Sequence, residues 1–272
     1  MEKKNSLLDK PPIPEDHAIF YGQEPSQFGH LYLPEKKTLP HPVIVALHGG
    51  YWRCQYGLEY MSFYGDALRA LGYGVWSLEY RRLGEKGAEY PFIFQDVING
   101  INHLEKIASL YHLDLSRVVF TGHSAGGQLA LLAGCDKWHE GEVFGAKRRV
   151  HPRGVFSLAG VCDLHKAYAL SLSDGVTAML MGGGPKAHPQ RYLKASPQQQ
   201  SYDRVRCALA HCRSDKDVPF AMSEDFAGYL KSLSHKDYRF LSFDNMGHFG
   251  FLDPQSAGFT QVADTIKWLL EG

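Results

Sequence analysis

Short apolar runs alternate with amphipathic stretches along most of this chain. The run at residues 43–47 is apolar throughout, as expected for a strand that is buried on both faces. Strand-like runs lie at residues 30–33, 43–47, 74–78, 117–121, 154–158, 206–210 and 238–243. Apolar residues at helical spacing predict helices at residues 63–71, 97–111, 125–133 and 259–269. This alternation predicts an α/β fold, with a mostly parallel central sheet flanked by helices.

Two segments fall outside the alternation. Residues 1–15 form a polar N-terminal arm interrupted by prolines. Residues 164–204 combine short helical pieces with many helix breakers, and we interpret them as a small cap excursion over one end of the sheet. A surface insertion far from any site would have the same pattern. The length of 272 residues and the 44% hydrophobic content fit a single domain over residues 1–272.

Charge and cysteine content narrow the range of partners. The 29 Lys and Arg residues balance the 29 Asp and Glu residues, and no basic run is long enough to bind a nucleic acid or an anionic membrane. The five cysteines lack the C-x-x-C spacing of metal and redox sites, which favours free thiols in a reducing compartment. No leader or membrane-spanning stretch is evident. We therefore expect a cytoplasmic protein with no nucleic-acid or membrane partner, and the sequence leaves open whether it is a homodimer.

The strongest chemical signal is the sequence G-H-S-A-G at residues 122–126, between a predicted strand and a helix of small residues. In a nucleophile elbow, a serine sits on the sharp turn between such elements. The glycines two positions before and after it allow the strand and helix to cross closely. Gly122 and Gly126 meet this requirement, so Ser124 is the candidate nucleophile.

A serine hydroxyl requires a general base, and the base requires a carboxylate that orients it. His248 lies in a loop after the last predicted strand, and Asp215 follows the strand at residues 206–210. Both positions are at carboxyl ends of strands, where open α/β sheets place their sites. Asp217 and Asp244 are rivals for the acid. We favour Asp215, because Asp217 could instead cap the following helix and Asp244 ends a strand.

The turn H-G-G-Y-W at residues 48–52 directly follows the strand at residues 43–47. A glycine-rich turn lets backbone amides approach an oxyanion without interference from side chains. The candidate donors are the N–H groups of Gly50, Tyr51 and Ala125.

The residues expected to line a pocket are mostly apolar or aromatic. Aromatic residues are dense just after the glycine-rich turn, and the apolar residues 179–181 of the cap could close over a pocket. Trp52, His123 and Phe249 are the candidate substrate contacts, and a small-molecule ester or amide suits such walls. No ligand set such as H-E-x-x-H occurs, so we expect neither a metal nor a cofactor.

Together these motifs resemble the α/β-hydrolase family, in particular its small carboxylesterase and kynurenine formamidase (arylformamidase) branch. Residues 48–52 are similar to the H-G-G-x-W oxyanion motif of formamidases, and residues 122–127 to the elbow of both groups. Residues 211–219 resemble instead the H-G-x-x-D-x-x-V-P segment of general esterases, with Cys212 in place of the usual glycine.

The resemblance implies an α/β-hydrolase fold and a serine hydrolase that cleaves small carboxylic esters or aryl formamides through an acyl-enzyme. Kynurenine formamidase activity is the alternative within this class. The two activities differ in the acyl pocket, since a formyl group needs almost no room and an acetyl or butyryl group needs more. A catalytically inactive binding protein on a hydrolase fold is the alternative of another class. The filled triad positions argue against that second alternative.

Overall fold

Eight strands form one sheet in the computed structural model, which describes residues 7–35, 39–139 and 141–271. The strands are β1 (His17–Phe20), β2 (Phe28–Tyr32), β3 (His41–Leu47), β4 (Gly74–Leu78), β5 (Leu113–His123), β6 (Gly154–Leu158), β7 (Arg206–Cys212) and β8 (Tyr238–Phe243). Their order in the sheet is β1-β2-β4-β3-β5-β6-β7-β8. The pairs β1–β2 and β2–β4 are antiparallel, and every other neighbouring pair is parallel. The predicted α/β class with a mostly parallel sheet is therefore confirmed.

Helices cover both faces of this sheet. They are α1 (Ser62–Ala70), α2 (Phe92–Asn102), α3 (Leu104–Ile107), α4 (Ala125–Gly134), α5 (Leu164–Ala169), α6 (Leu172–Met181), α7 (Pro189–Ala195), α8 (Ala221–Ser232) and α9 (Ala257–Leu270). Short 3-10 helices occur at Leu58–Met61, Asp136–His139, Pro197–Gln199 and Gly250–Leu252. Among the helices of the described residues, none combines the length and hydropathy needed to cross a membrane.

The two faces of β3 explain why its sequence is apolar throughout. Val43, Val45 and Leu47 belong to the core cluster that includes residues of α2, α4 and α8. Ile44 and Ala46 belong to a second cluster, which includes residues of α1 and α9. Successive side chains of a strand point to opposite faces, so a strand between two helical layers has no polar side.

The main differences between predicted and observed elements concern α2 and β1. The continuous helix expected over residues 97–111 is wrong, because α2 starts earlier, ends at Asn102 and is followed by the short helix α3. The Asn102 amide donates to the carbonyl of Lys147 and accepts from the N–H of Arg149, which ties the end of α2 to a neighbouring loop. No sequence pattern predicted β1, a four-residue edge strand with little apolar alternation.

The N-terminal arm is less polar in the structure than its sequence indicates. Its residues 1–6 lie outside the described residues. Leu7 is only 1% exposed and belongs to the same buried cluster as Tyr60 and Met61. Further along the arm, the N–H of Ile13 donates to the hydroxyl of Ser62 at 3.0 Å. The described part of the arm is therefore docked on the domain just before α1.

Candidate active site

Ser124 occupies the sharp turn between β5 and α4. Its φ of +57° is one that residues with a side chain rarely adopt, and its N–H donates to the carbonyl of Leu158 at 2.8 Å. A Cβ atom on Gly122 would lie 2.0 Å from the carbonyl oxygen of Gly126. One on Gly126 would lie 2.1 Å from the carbonyl oxygen of Leu47. Gly122 therefore lets α4 pass close to β5, and Gly126 lets α4 approach the end of β3.

Asp215 and His248 meet at the carboxyl ends of β7 and β8. Nδ1 of His248 lies 2.7 Å from Oδ2 of Asp215, whose side chain is fully buried. The other carboxylate oxygen accepts the N–H groups of Asp217 and Val218 at 2.9 and 3.0 Å. Nε2 of His211 lies 3.3 Å from Oδ2. The carboxylate is thus held on every side in one orientation.

These contacts determine the protonation of Asp215. Burial by itself raises the pKa of the carboxyl group, but hydrogen bonds from His211 and His248 and the charge on His248 outweigh that effect. The pKa of Asp215 consequently lies well below its usual value, and the group is ionised at neutral pH. An ionised carboxylate accepts the Nδ1 proton of His248, so that the second ring nitrogen, Nε2, is the one available as a base.

The two rival acids have other surroundings. Asp217 is exposed, and its backbone carbonyl accepts the hydroxyl of Tyr51. Its carboxylate lies within 4.8 Å of ligand atoms of both Asp215 and His248, a grouping of the kind that can bind a metal ion. Within this grouping, however, Asp215 and His248 are hydrogen-bonded to each other. Asp244 is 81% exposed and lies 3.6 Å from Arg213.

The glycine-rich turn after β3 has an unusual backbone. Gly50, Tyr51 and Trp52 have successive positive φ angles of 103°, 51° and 58°. Among the described residues, no acceptor binds the N–H groups of Gly50, Tyr51 or Ala125. Ala125 is the first residue of α4, so its N–H belongs to the unpaired donors of a helix N-terminus. The three N–H groups that we expect to bind the oxyanion are therefore free of acceptors among the described residues.

A buried pair that the sequence analysis did not single out anchors this turn. The ring nitrogens of His48 bind the carbonyl of Gly49 at 2.7 Å and the carboxylate of Glu79 at 2.8 Å. Tyr80 stacks on the His48 ring, with centroids 4.4 Å apart, and its hydroxyl donates to the His48 carbonyl. Glu79 directly follows β4, so an acid at a strand end was the signal that could have identified it.

A chain of hydrogen bonds links the turn at Ser124 to the glycine-rich turn after β3 and to the loop that carries His248. The N–H of Gly49 donates to the Tyr60 hydroxyl at 2.5 Å, and this hydroxyl lies 3.1 Å from Nδ1 of His123. Nε2 of His123 lies 2.9 Å from the carbonyl oxygen of His248. Burial, followed by the charge of His248, lowers the pKa of His123 well below its usual value. A neutral ring that donates from Nε2 and accepts at Nδ1 satisfies every bond in the chain.

A cavity of about 140 Å³ opens onto Ser124 and His248. Its walls include the rings of Tyr51, Tyr56 and Phe249, with Tyr60, His123, Gly50, Asp217 and Leu8 completing the lining. Phe249 and His123 thus lie where the sequence analysis expected substrate contacts. Both nitrogens of His123 are already engaged within the protein, so the ring offers a substrate only its surface.

Two expectations about the pocket walls are wrong. Trp52 is 1% exposed and donates its indole N–H to Gln128 at 3.1 Å, so it anchors the turn from the core instead of lining the cavity. Of the cap residues expected to close over the pocket, Leu180 and Met181 are buried in the core cluster and Met179 faces solvent. None of the three lines the cavity, and Leu8 of the N-terminal arm does.

The strand order, with a serine turn after β5, an acid after β7 and a histidine after β8, is that of the α/β-hydrolase fold. Residues 30–230 match the sequence model of the BD-FAE family, and the chain belongs to this family. His248 lies beyond the matched range.

Curated relatives come from two groups. A probable isoprenylcysteine alpha-carbonyl methylesterase of Oryza sativa subsp. japonica is 25% identical over 80% of this chain and 54% of the relative. A kynurenine formamidase of Salmo salar is 23% identical over 86% of this chain and 74% of the relative. The chain therefore spans little more than half the length of the plant methylesterases that it matches.

Solved structures share the fold over nearly the whole chain. A truncated carbohydrate esterase from gut microbiota superposes with a TM-score of 0.80 at 22% identity, covering 97% of this chain and 100% of that one. Esterase B of Lactobacillus Rhamnosis has a TM-score of 0.79 at 21% identity, covering 97% and 90% of the two chains. At this level of identity the likeness concerns the fold alone.

Proposed function

We propose that this protein is a serine hydrolase that cleaves small carboxylic esters through an acyl-enzyme intermediate. The observation that carries the proposal is that Ser124 and His248 line the same cavity while the buried carboxylate of Asp215 holds His248 through Nδ1. A nucleophile, a base and a group that orients the base are the parts required for acyl transfer. The names of the curated relatives, a methylesterase and a formamidase, agree with hydrolysis of an ester or amide bond.

In the first half of the reaction, Nε2 of His248 accepts the proton of the Ser124 hydroxyl as the oxygen attacks the substrate carbonyl. Asp215 stabilises the imidazolium that forms. The N–H groups of Gly50, Tyr51 and Ala125 donate to the oxyanion of the tetrahedral intermediate. They have no acceptor among the described residues, so they are available for this role. His248 then protonates the leaving group, which departs from the carbonyl carbon.

In the second half, water attacks the acyl group on Ser124 while His248 accepts a proton from that water. The second tetrahedral intermediate collapses, the acid is released, and the proton returns from His248 to the Ser124 oxygen. No step requires a metal ion or an organic cofactor, because the serine, the imidazole and the backbone amides supply the nucleophile, the base and the electrophile.

The cavity supports a small substrate. Pockets for drug-sized ligands usually have roughly 300–1,000 Å³, whereas this one has about 140 Å³ and aromatic walls. A short acyl group and a compact alcohol fit such a space. Kynurenine formamidase activity is the second candidate, since a relative of that name aligns with 86% of the chain. The lining contains no Lys or Arg among the described residues, which favours an ester over a substrate with a free carboxylate.

The test is a comparison of kcat/KM for p-nitrophenyl acetate, p-nitrophenyl butyrate and N-formyl-kynurenine, with Ser124→Ala as the blank. We expect turnover that depends on Ser124 and is fastest with a p-nitrophenyl ester. A hundredfold preference for the formamide would replace the esterase proposal by the second candidate. If no substrate shows Ser124-dependent turnover, the inactive binding protein becomes the better description.

Covalent labelling provides a second test that does not depend on the choice of substrate. A fluorophosphonate probe should label the protein once, and peptide mass spectrometry should locate the adduct on Ser124. Ser124→Ala should remain unlabelled, and His248→Asn should react far more slowly because the hydroxyl loses its base. Labelling of Ser124→Ala at the same rate would contradict the assignment of the nucleophile.

A further inference from the structure

We propose that Asp217 and the aromatic rings near it select esters whose alcohol part carries a positively charged ammonium group. The inference rests on the proposed function, because it concerns the leaving-group side of the same cavity. Asp217 does not belong to the triad, and in this proposal it determines specificity for the alcohol.

The walls of the cavity are of a kind that attracts cations. Tyr51, Tyr56, Tyr60 and Phe249 contribute aromatic rings to a lining with few polar groups. The face of an aromatic ring carries negative electrostatic potential, so several rings around one space favour an ammonium group over a neutral group of the same shape. The described lining has no Lys or Arg side chain, so no such side chain competes with a substrate cation for these rings.

Asp217 adds a full negative charge to these walls. Its residue lines the cavity, and among the described residues no cationic side chain forms an ion pair with it. Its backbone is fixed on both sides of the side chain. The N–H donates to Asp215 at 2.9 Å, and the carbonyl accepts the hydroxyl of Tyr51.

The charge of Asp217 also affects the pKa of Tyr51, which lines the same cavity. Burial, followed by the charges of Asp217 and Asp215, raises the pKa of Tyr51 to about 12. The Asp215 carboxylate is already bonded to His211 and His248 and is fully buried. Asp217 is therefore the carboxylate that remains for a substrate cation at this wall.

The position of Asp217 indicates which part of the substrate it contacts. Its carboxylate lies within 4.8 Å of a ring nitrogen of His248. In acyl transfer, the atom that His248 protonates is the leaving-group oxygen, so the substrate atoms nearest to His248 belong to the alcohol. The acyl group extends from the carbonyl carbon in another direction. Charge selection should therefore act on the alcohol and leave the acyl preference unchanged.

The experiment compares acetylcholine with 3,3-dimethylbutyl acetate, two esters of nearly the same shape that differ in the charge of the alcohol. We expect kcat/KM for acetylcholine to be about tenfold higher at low ionic strength. High salt should reduce this ratio, because it screens an exposed charge and leaves the neutral ester unaffected. The ratio is the readout, since any effect on His248 itself is common to both esters.

Asp217→Asn keeps the shape of the side chain and should reduce the ratio to about twofold, the part contributed by the rings. Asp244→Asn is the matched control, because it removes an acid from the neighbouring loop that does not line the cavity. This control should keep the ratio of the unmodified protein. A ratio near one in the unmodified protein, or an equal ratio in Asp217→Asn, would overturn the inference.

A binding measurement separates this inference from the proposed function. Tetramethylammonium should bind Ser124→Ala, with a dissociation constant several-fold weaker when Asp217→Asn is added. Binding without any turnover would sustain the inference on charge selection while removing the proposed function. Ser124-dependent hydrolysis of p-nitrophenyl acetate, with no effect of Asp217→Asn on tetramethylammonium binding, would sustain the proposed function and overturn the inference on charge selection.

Discussion

Nε2 of His123 donates a hydrogen bond to the backbone carbonyl of His248, 2.9 Å away, so the residue before the candidate nucleophile fixes the loop that carries the candidate base. The two imidazole rings lie with their centroids 4.4 Å apart. Through the Tyr60 hydroxyl, the same ring is connected to the N–H of Gly49 in the oxyanion turn. One buried side chain thereby couples the positions of three loops that are far apart in sequence.

Tyr60→Phe tests whether this coupling matters for turnover. The substitution keeps the aromatic wall of the cavity but removes the acceptor of the Gly49 N–H and the donor to His123. A buried N–H without an acceptor costs about 1–3 kcal/mol, which is enough to disturb the oxyanion turn. We expect kcat for p-nitrophenyl acetate to fall about tenfold with KM nearly unchanged. An unchanged kcat would show that the turn keeps its geometry without this bond.

His123→Gln tests the buried neutral imidazole through the pH dependence of stability. Burial lowers the pKa of His123 in the folded state, whereas the unfolded chain binds a proton near the usual value of 6.5. The unfolded state therefore gains protons below that pH, and His123 makes the folded state less stable as the pH falls. Glutamine keeps one donor and one acceptor but does not titrate.

Urea unfolding at pH 7.5 and pH 5.5 measures this effect. His123 alone should reduce the free energy of unfolding by on the order of 1 kcal/mol over this interval, and His123→Gln should lose correspondingly less. All other titratable groups are the same in the two proteins, so their contributions cancel in the comparison. Equal losses in the two proteins would mean that His123 takes up a proton in the folded state as readily as in the unfolded chain.

Sequence patterns identified every described strand of the sheet except β1, because most of these strands are largely apolar runs. The bounds of β4, β6 and β8 agree with the expected runs. The patterns failed where a tertiary contact decided the outcome. The end of α2 depends on hydrogen bonds between Asn102 and a loop some 45 residues further along the chain, which no local periodicity encodes.

The residues of the candidate site likewise include some that local sequence predicts and others that depend on long-range contacts. Ser124, Asp215 and His248 follow strands, so their approach was predictable from the order of the elements and from the motifs. Glu79 and Tyr60 carry no motif, because their roles arise from single long-range hydrogen bonds to His48 and Gly49. The assignment of Trp52 to the pocket failed because a glycine-rich turn with three positive φ angles directs its ring into the core.

Asp215→Asn distinguishes the orienting acid from its rivals. Asparagine fits the same space but cannot stabilise the imidazolium of His248. We expect kcat for p-nitrophenyl acetate to fall by about 10³- to 10⁴-fold, while Asp244→Asn stays within twofold. Asp217→Asn should reduce turnover of this neutral ester far less than Asp215→Asn. The reverse ranking of the Asp215 and Asp217 variants would assign the catalytic acid to Asp217.

Gly122→Ala and Gly228→Ala form a matched pair that tests the close crossing at the elbow. An added methyl on Gly122 would lie 2.0 Å from a backbone carbonyl oxygen, whereas no atom of the described residues lies within 4 Å of one on Gly228. Gly228 is an exposed position inside α8, where alanine should stabilise the helix by about 0.5–1 kcal/mol. Gly122→Ala should lower the thermal midpoint strongly or prevent folding. Equal midpoints for the two variants would contradict the tight strand–helix contact.

Leu7→Ala tests whether the N-terminal arm is docked beside the cavity in solution. Leu7 is 1% exposed within the core cluster of α1 and α9, and the neighbouring Leu8 is 47% exposed. Truncating a buried leucine costs about 2 kcal/mol or more, so Leu7→Ala should lower the urea midpoint clearly, while Leu8→Ala should change the free energy of unfolding by less than about 0.5 kcal/mol. Leu8→Ala should instead alter KM, because Leu8 lines the cavity that holds the substrate. If both variants unfold at the midpoint of the unmodified protein, the arm contributes nothing to the fold and the wall that it gives the cavity is absent in solution.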